Sequence, residues 1–162
     1  MLVARVQLRF VERLVSFLSL ADGEMRPVDE VKGQLIAVIA LLRSIGHVLE
    51  KVDADTDAKR AWLAGEWPSW KTEPIFKDFI EPTRNMLLKE FDGISRLIDR
   101  AFSAHAAVAA PTPEMVMMMG AFDPALLRDD ASSDIWPKIG AALDYWDRRV
   151  RETENVFAGL ET

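Results

Sequence analysis

Hydrophobic positions recur at steps of three and four along almost the whole chain, a period that predicts helices rather than strands. Between residues 2 and 20, Val3, Val6, Phe10, Leu14 and Phe17 form the leading stripe. Val11, Val15 and Leu18 widen it, as a core-facing helix requires. Ala21 to Glu24 break the pattern, and Pro27 with Asp29 and Glu30 suits the first turn of a second helix. That helix follows Val31, Leu35, Val38, Leu42, Ile45 and Leu49, and its phase leaves Arg43, His47 and Glu50 outside. Asp53 to Asp57 read as a turn and N-cap for a shorter helix carrying Trp62 and Leu63, which Gly65 and Pro68 are expected to end. Ile75 to Ile80 read as a short helical turn ahead of a long helix from Thr83 to Ala109. The seam of that helix places Arg84 and His105 where a bundle packs. Residues 110 to 134 hold three prolines, one glycine and four methionines and predict an inserted irregular loop. A last helix follows Ile135, Ile139, Leu143, Trp146, Val150, Thr153, Phe157 and Leu160. The expected fold class is all-α: one helical-bundle domain over residues 1–162, with about four long helices plus short ones.

Composition narrows the chemistry. A chain of 162 residues hides about 70% of its unfolded surface on folding and needs no covalent staple. It has no cysteine, which excludes disulfides, thiolate metal sites and cysteine nucleophiles and points away from an oxidising compartment. The first apolar stretch is broken by Arg5, Arg9, Glu12 and Arg13, and the apolar run from Leu35 to Leu42 falls far short of the about 20 residues of a membrane span. A cytoplasmic protein with no membrane partner is therefore expected. The formal net charge of −6 argues against coating nucleic acid by bulk electrostatics, but leaves room for a local basic face.

Asp53, Asp55 and Asp57 imitate the start of a calcium loop, yet Ala58 and Ala64 stand where its glycine and bidentate glutamate belong. No metal and no cofactor is expected. Two cationic rows can meet a phosphate backbone: Arg5, Arg9 and Arg13 on the first helix, and Lys89, Arg96 and Arg100 on the long one. Trp62, Trp67 and Trp70 suit either a stacking platform or core packing near a chain reversal. Arg84 stands out, because an unpaired charge on a seam costs several kcal/mol and must find a carboxylate, a partner chain or a ligand. Glu81 and Glu90 are its nearest acidic candidates in sequence.

The stretch from Pro74 to Glu90, with Arg84 followed by Asn85, resembles the signature region of HEPN domains, small helix bundles of prokaryotic toxin, defence and RNA-processing systems. That family carries an Arg, commonly followed by Asn, at a helix start, and a His four to six residues on. The resemblance implies a helix bundle acting on RNA without metal, with a composite site made by two subunits. Here positions 89 and 90 hold Lys89 and Glu90 in place of the histidine. The implied function is thus binding of RNA or a partner protein in a bacterial or phage defence or toxin–antitoxin setting, as a homodimer, with Arg84, Asn85, Lys89, Arg96 and Arg100 as binding residues. Two alternatives stand beside it. One is a metal-independent ribonuclease using Arg84 with Asn85 and Glu90. The other is an acidic protein-interaction or inhibitory module docking through Met115 and Met117 to Met119, with no nucleic-acid site.

Overall fold

Helix α1 spans Val3–Leu20, α2 Val28–Val48, α3 Asp57–Thr72, α4 Glu81–Glu90 and α5 Ile135–Leu160. These elements come from a computed structural model that describes residues 1–20, 26–90, 121–122 and 135–161. Two wider-wound helical segments, Leu49–Asp53 and Ile75–Ile80, join α2 to α3 and α3 to α4. The only other pairing among the described residues is a two-residue antiparallel bridge, Arg26 opposite Phe122 and Pro27 opposite Ala121. The fold class is all-α, as the periodicity predicts. No helix among the described residues is long and apolar enough to cross a membrane. The expectation of a loop over 110–134 lies outside the described residues apart from the two in the bridge.

The seams of α2 and α5 fall where the periodicity places them. Val31, Leu35, Val38, Leu42, Ile45 and Leu49 are all buried, as are Ile135, Ile139, Trp146, Val150, Thr153 and Phe157, while Leu143 is half-buried and Leu160 exposed. On α1 the face is turned. Ala4, Leu8, Val11 and Leu18 enter the core, whereas Val3, Val6 and Phe10 stay 45 to 48% exposed. One reason is visible at Arg5. Its guanidinium is buried against Asp147 and Glu154 of α5, with 2.9 Å to the latter, and that ion pair fixes the rotation of the helix. The expected row Arg5, Arg9, Arg13 is thereby broken, since its first member is committed to the interior.

Helix α3 also departs from expectation, running through Gly65 and Pro68 to Thr72. Pro68 lacks an N–H and crowds the carbonyl of Ala64, but both residues are exposed, so water can take up the freed carbonyl. The Thr56 hydroxyl accepts from the Lys59 N–H at 3.3 Å and caps the helix start. Asp53 does more than turn the chain. Its carboxylate accepts from the N–H groups of Val3 and Ala4 at 2.7 and 2.9 Å, capping α1 from across the fold. Asp55 pairs with Lys59 and Asp57 with Arg60, so each acid of the calcium-like spacing is used structurally. Among the described residues no acidic or histidine cluster is arranged to hold a metal.

An aromatic cluster joins α3 to α5. Trp70 is fully buried, edge-on to both Trp62 and Trp67, and Trp67 stacks on Trp146 at 6.3 Å between ring centres. The Tyr145 hydroxyl donates to the Trp70 carbonyl at 3.1 Å. Core packing therefore accounts for Trp70, while Trp62 and Trp67 remain half-buried. Trp67 reaches α2 at Gly46, where any Cβ would lie 2.0 Å from the indole ring. Glycine is required there by space.

Candidate functional site

Arg84 sits in the first turns of α4, half-buried. Its Nη1 donates to the Asn85 Oδ1 at 2.9 Å, so the two residues of the motif are held together. Among the described residues no carboxylate pairs with Arg84. Glu81, the acid expected to neutralise it, instead faces Arg43 of α2 at 3.6 Å. The packing of α4 on α2 places Arg84 within electrostatic reach of His47.

Arg43 and His47 are one turn apart on α2, with Arg43 Nη1 at 3.3 Å from His47 Nε2. A guanidinium can only donate, so Nε2 accepts and the ring proton of the neutral imidazole resides on Nδ1. Arg43 also lies over the Phe76 ring at 5.3 Å from its centre. The histidine is held below its ordinary pKa, first by partial desolvation and then by Arg43, with Arg84 and Lys51 adding to the effect and Glu50 opposing it. His47 thus belongs to the same electrostatic neighbourhood as Arg84, although 37 positions separate them in sequence. The arrangement is a pair of arginines and a neutral histidine beside an amide, with a single carboxylate at ion-pair distance. Such a group favours an anion with several acceptor oxygens, such as a phosphodiester.

The remaining expected residues fall differently. Lys89 and Glu90 end α4, where the backbone alone is described. Arg96, Arg100, His105, Met115 and Met117 to Met119 lie outside the described residues. His47 is exposed, as its phase on α2 predicts. Its spacing of four from Arg43 was visible, but its proximity to Arg84 depends on how α2 packs on α4.

Past His47 the same face of α2 leads into the wider-wound segment, with Glu50 and Lys51 one turn on. There a groove of about 490 Å³ opens between this segment and α3, walled by Ala54, Leu63, Ala64, Trp67 and Pro68 and rimmed by Glu50, Lys51 and Arg60. Glu50 pairs with Lys51 at 2.7 Å, which holds its carboxyl below the usual range.

No family model, no curated protein and no solved structure matches the chain.

Proposed function

We propose that this chain is a HEPN-like helical bundle that binds RNA through Arg84 and Asn85 without cleaving it, as a homodimer, in a bacterial or phage defence or toxin–antitoxin setting. The observation that carries the reading is the half-buried Arg84 guanidinium, oriented by Asn85 and left without a carboxylate among the described residues. A phosphate supplies the missing counter-charge. The exposed Val3, Val6 and Phe10 of α1 offer a second copy an apolar surface, in keeping with the dimer.

One observation favours a second reading, metal-independent cleavage. Attack by a 2′-hydroxyl needs a proton-transfer group titrating near neutrality beside a cation that stabilises the developing charge. His47, neutral and within electrostatic reach of Arg84, is better suited to that role than Glu90. Incubation of the chain with total RNA and tRNA in the presence of chelator separates the readings. Binding predicts a gel shift that Arg84→Ala removes and no new RNA fragments. Fragments lost in both Arg84→Ala and His47→Gln establish cleavage. Neither a shift nor fragments would sink both readings.

A further inference from the structure

Helix α1 turns Ala4, Leu8, Val11 and Leu18 into the bundle, yet the opposite side of the same helix is apolar as well. At 100° per residue Val3, Val6, Phe10 and Phe17 fall within about 60° of one another around the helix axis. All four are exposed, Phe17 by 59%. They make a straight ridge of roughly 21 Å, about four turns, which is more than the single scattered apolar residues of an ordinary surface. Arg9 and Arg13 run along one edge of this ridge, one and two turns beyond Arg5, and both are exposed. Arg5 is neutralised by α5, whereas among the described residues neither Arg9 nor Arg13 has a carboxylate at ion-pair distance. Arg13 Nε donates instead to the Arg9 carbonyl at 3.3 Å. Glu12, three positions from Arg9, forms no ion pair with it. An acidic chain of net charge −6 thus carries, on one helix, an exposed apolar ridge edged by two unneutralised guanidinium groups.

We propose that this face of α1 docks an amphipathic helix of a partner protein, with an apolar stripe against Val6, Phe10 and Phe17 and glutamates or aspartates along the edge that meets Arg9 and Arg13. A helix fits because residues at steps of three and four on one helix form the ridge that a second helix accepts between its own side chains. Acidity follows from the arginines, since carboxylates supply the counter-charge that the bundle itself gives to Arg5. A second copy can cover the apolar part of the face but leaves the charges uncompensated. In an antiparallel two-fold pair each helix lays its arginine edge against the arginine edge of the other. In a parallel pair that edge meets Val3 and Leu14. An acidic helix satisfies both parts of the face and therefore competes with a second copy for it. The proposal goes beyond RNA binding and does not depend on Arg84.

The test titrates the full chain into two labelled helical peptides of five turns and reads fluorescence anisotropy. Both carry leucines at steps of three and four, flanked by glutamates in one peptide and by lysines in the other. Wild type is expected to bind the glutamate peptide at least about tenfold more tightly than the lysine peptide at low salt, with the preference shrinking as salt is raised. The double variant Arg9→Glu with Arg13→Glu, both at exposed positions, should invert the preference. Phe10→Ser should weaken the glutamate peptide about tenfold while leaving the preference in place. Equal affinity for the two peptides, or a preference that survives the double variant, overturns the proposal. So does failure to bind either peptide in a protein that sediments as a dimer and becomes a monomer in Phe10→Ser, which gives the ridge to a second copy. Capture by phosphatidylglycerol vesicles without a preference between the peptides gives it to a lipid surface and overturns the proposal equally.

Discussion

Arginines on two faces of this bundle live in opposite circumstances. Between α1 and α5, and between α5 and the end of α3, they are saturated with carboxylates. Arg5 meets both Asp147 and Glu154, and Arg149 meets Glu73 and Glu152, with Arg148 reaching the same Glu73 at 2.7 Å. Burial would lower the pKa of Arg5 and of Arg149, yet their acidic partners outweigh it and raise both. Between α2 and α4, Arg43 has one carboxylate at 3.6 Å, and Arg84 has only an amide. The contrast separates structural from available cations in a way composition cannot, because a guanidinium ringed by acids has no unsatisfied field to offer a phosphate.

Breaking the saturated side should give the largest effect. Arg5→Ala strands the half-buried Glu154 and leaves Asp147 with Arg151 alone, and is expected to cost about 2 kcal/mol of stability in urea denaturation, discounted for the partial exposure of both acids. The RNA affinity of the folded protein should not change. On the other side the signs reverse. Arg84→Ala should lose about tenfold in RNA affinity, about 1.4 kcal/mol, while its denaturation midpoint shifts little. The smallest effect concerns pH. The folded state holds His47 below the ordinary histidine value, so as pH falls the unfolded chain protonates first. The histidine's contribution to stability is present above the unfolded value of about 6.5 and is lost as pH falls through the lower folded value. RNA affinity should move the opposite way over the same range, since protonated His47 adds a charge facing Arg43, Arg84 and Lys51 that only an anion relieves, with Glu50 the opposing acid. His47→Gln should flatten both profiles.

Much of the scaffold was legible in the chain, for a physical reason. The buried stripe of α5 is flanked by polar residues, so only one rotation hides its apolar surface; α2 is apolar all round from Leu35 to Leu42, and its orientation is set by the polar residues at its ends, Glu30 and Gln34 before the run and Arg43 and His47 after it. Helix α1 is apolar on more than half its circumference, and its bulkiest residues, Phe10 and Phe17, marked the wrong face. The decision between faces rested on the buried pair of Arg5 with acids more than 140 positions away, which no local pattern reports. Propensity marks Gly65 and Pro68 as stops, but the carbonyl of Ala64 that Pro68 frees is exposed to water and the helix continues. At the candidate site Arg84 and Asn85 were visible as neighbours. His47 was not, since a contact between helices belongs to packing rather than to sequence spacing.

Gly46 gives that packing its fixed point. Only a residue without a side chain can pass beneath Trp67, and its neighbours Ile45 and His47 cannot take its place without driving a ring or a branched chain into the indole. Helix α2 is therefore keyed to α3 like a shaft with a single notch, unable to slide one residue or turn 100°. The lateral position of His47 and Arg43 opposite Arg84 is thus indexed by an atom that is missing. Repacking elsewhere in the bundle can drift, but a substitution that closes the notch would take Arg43 and His47 out of register with α4.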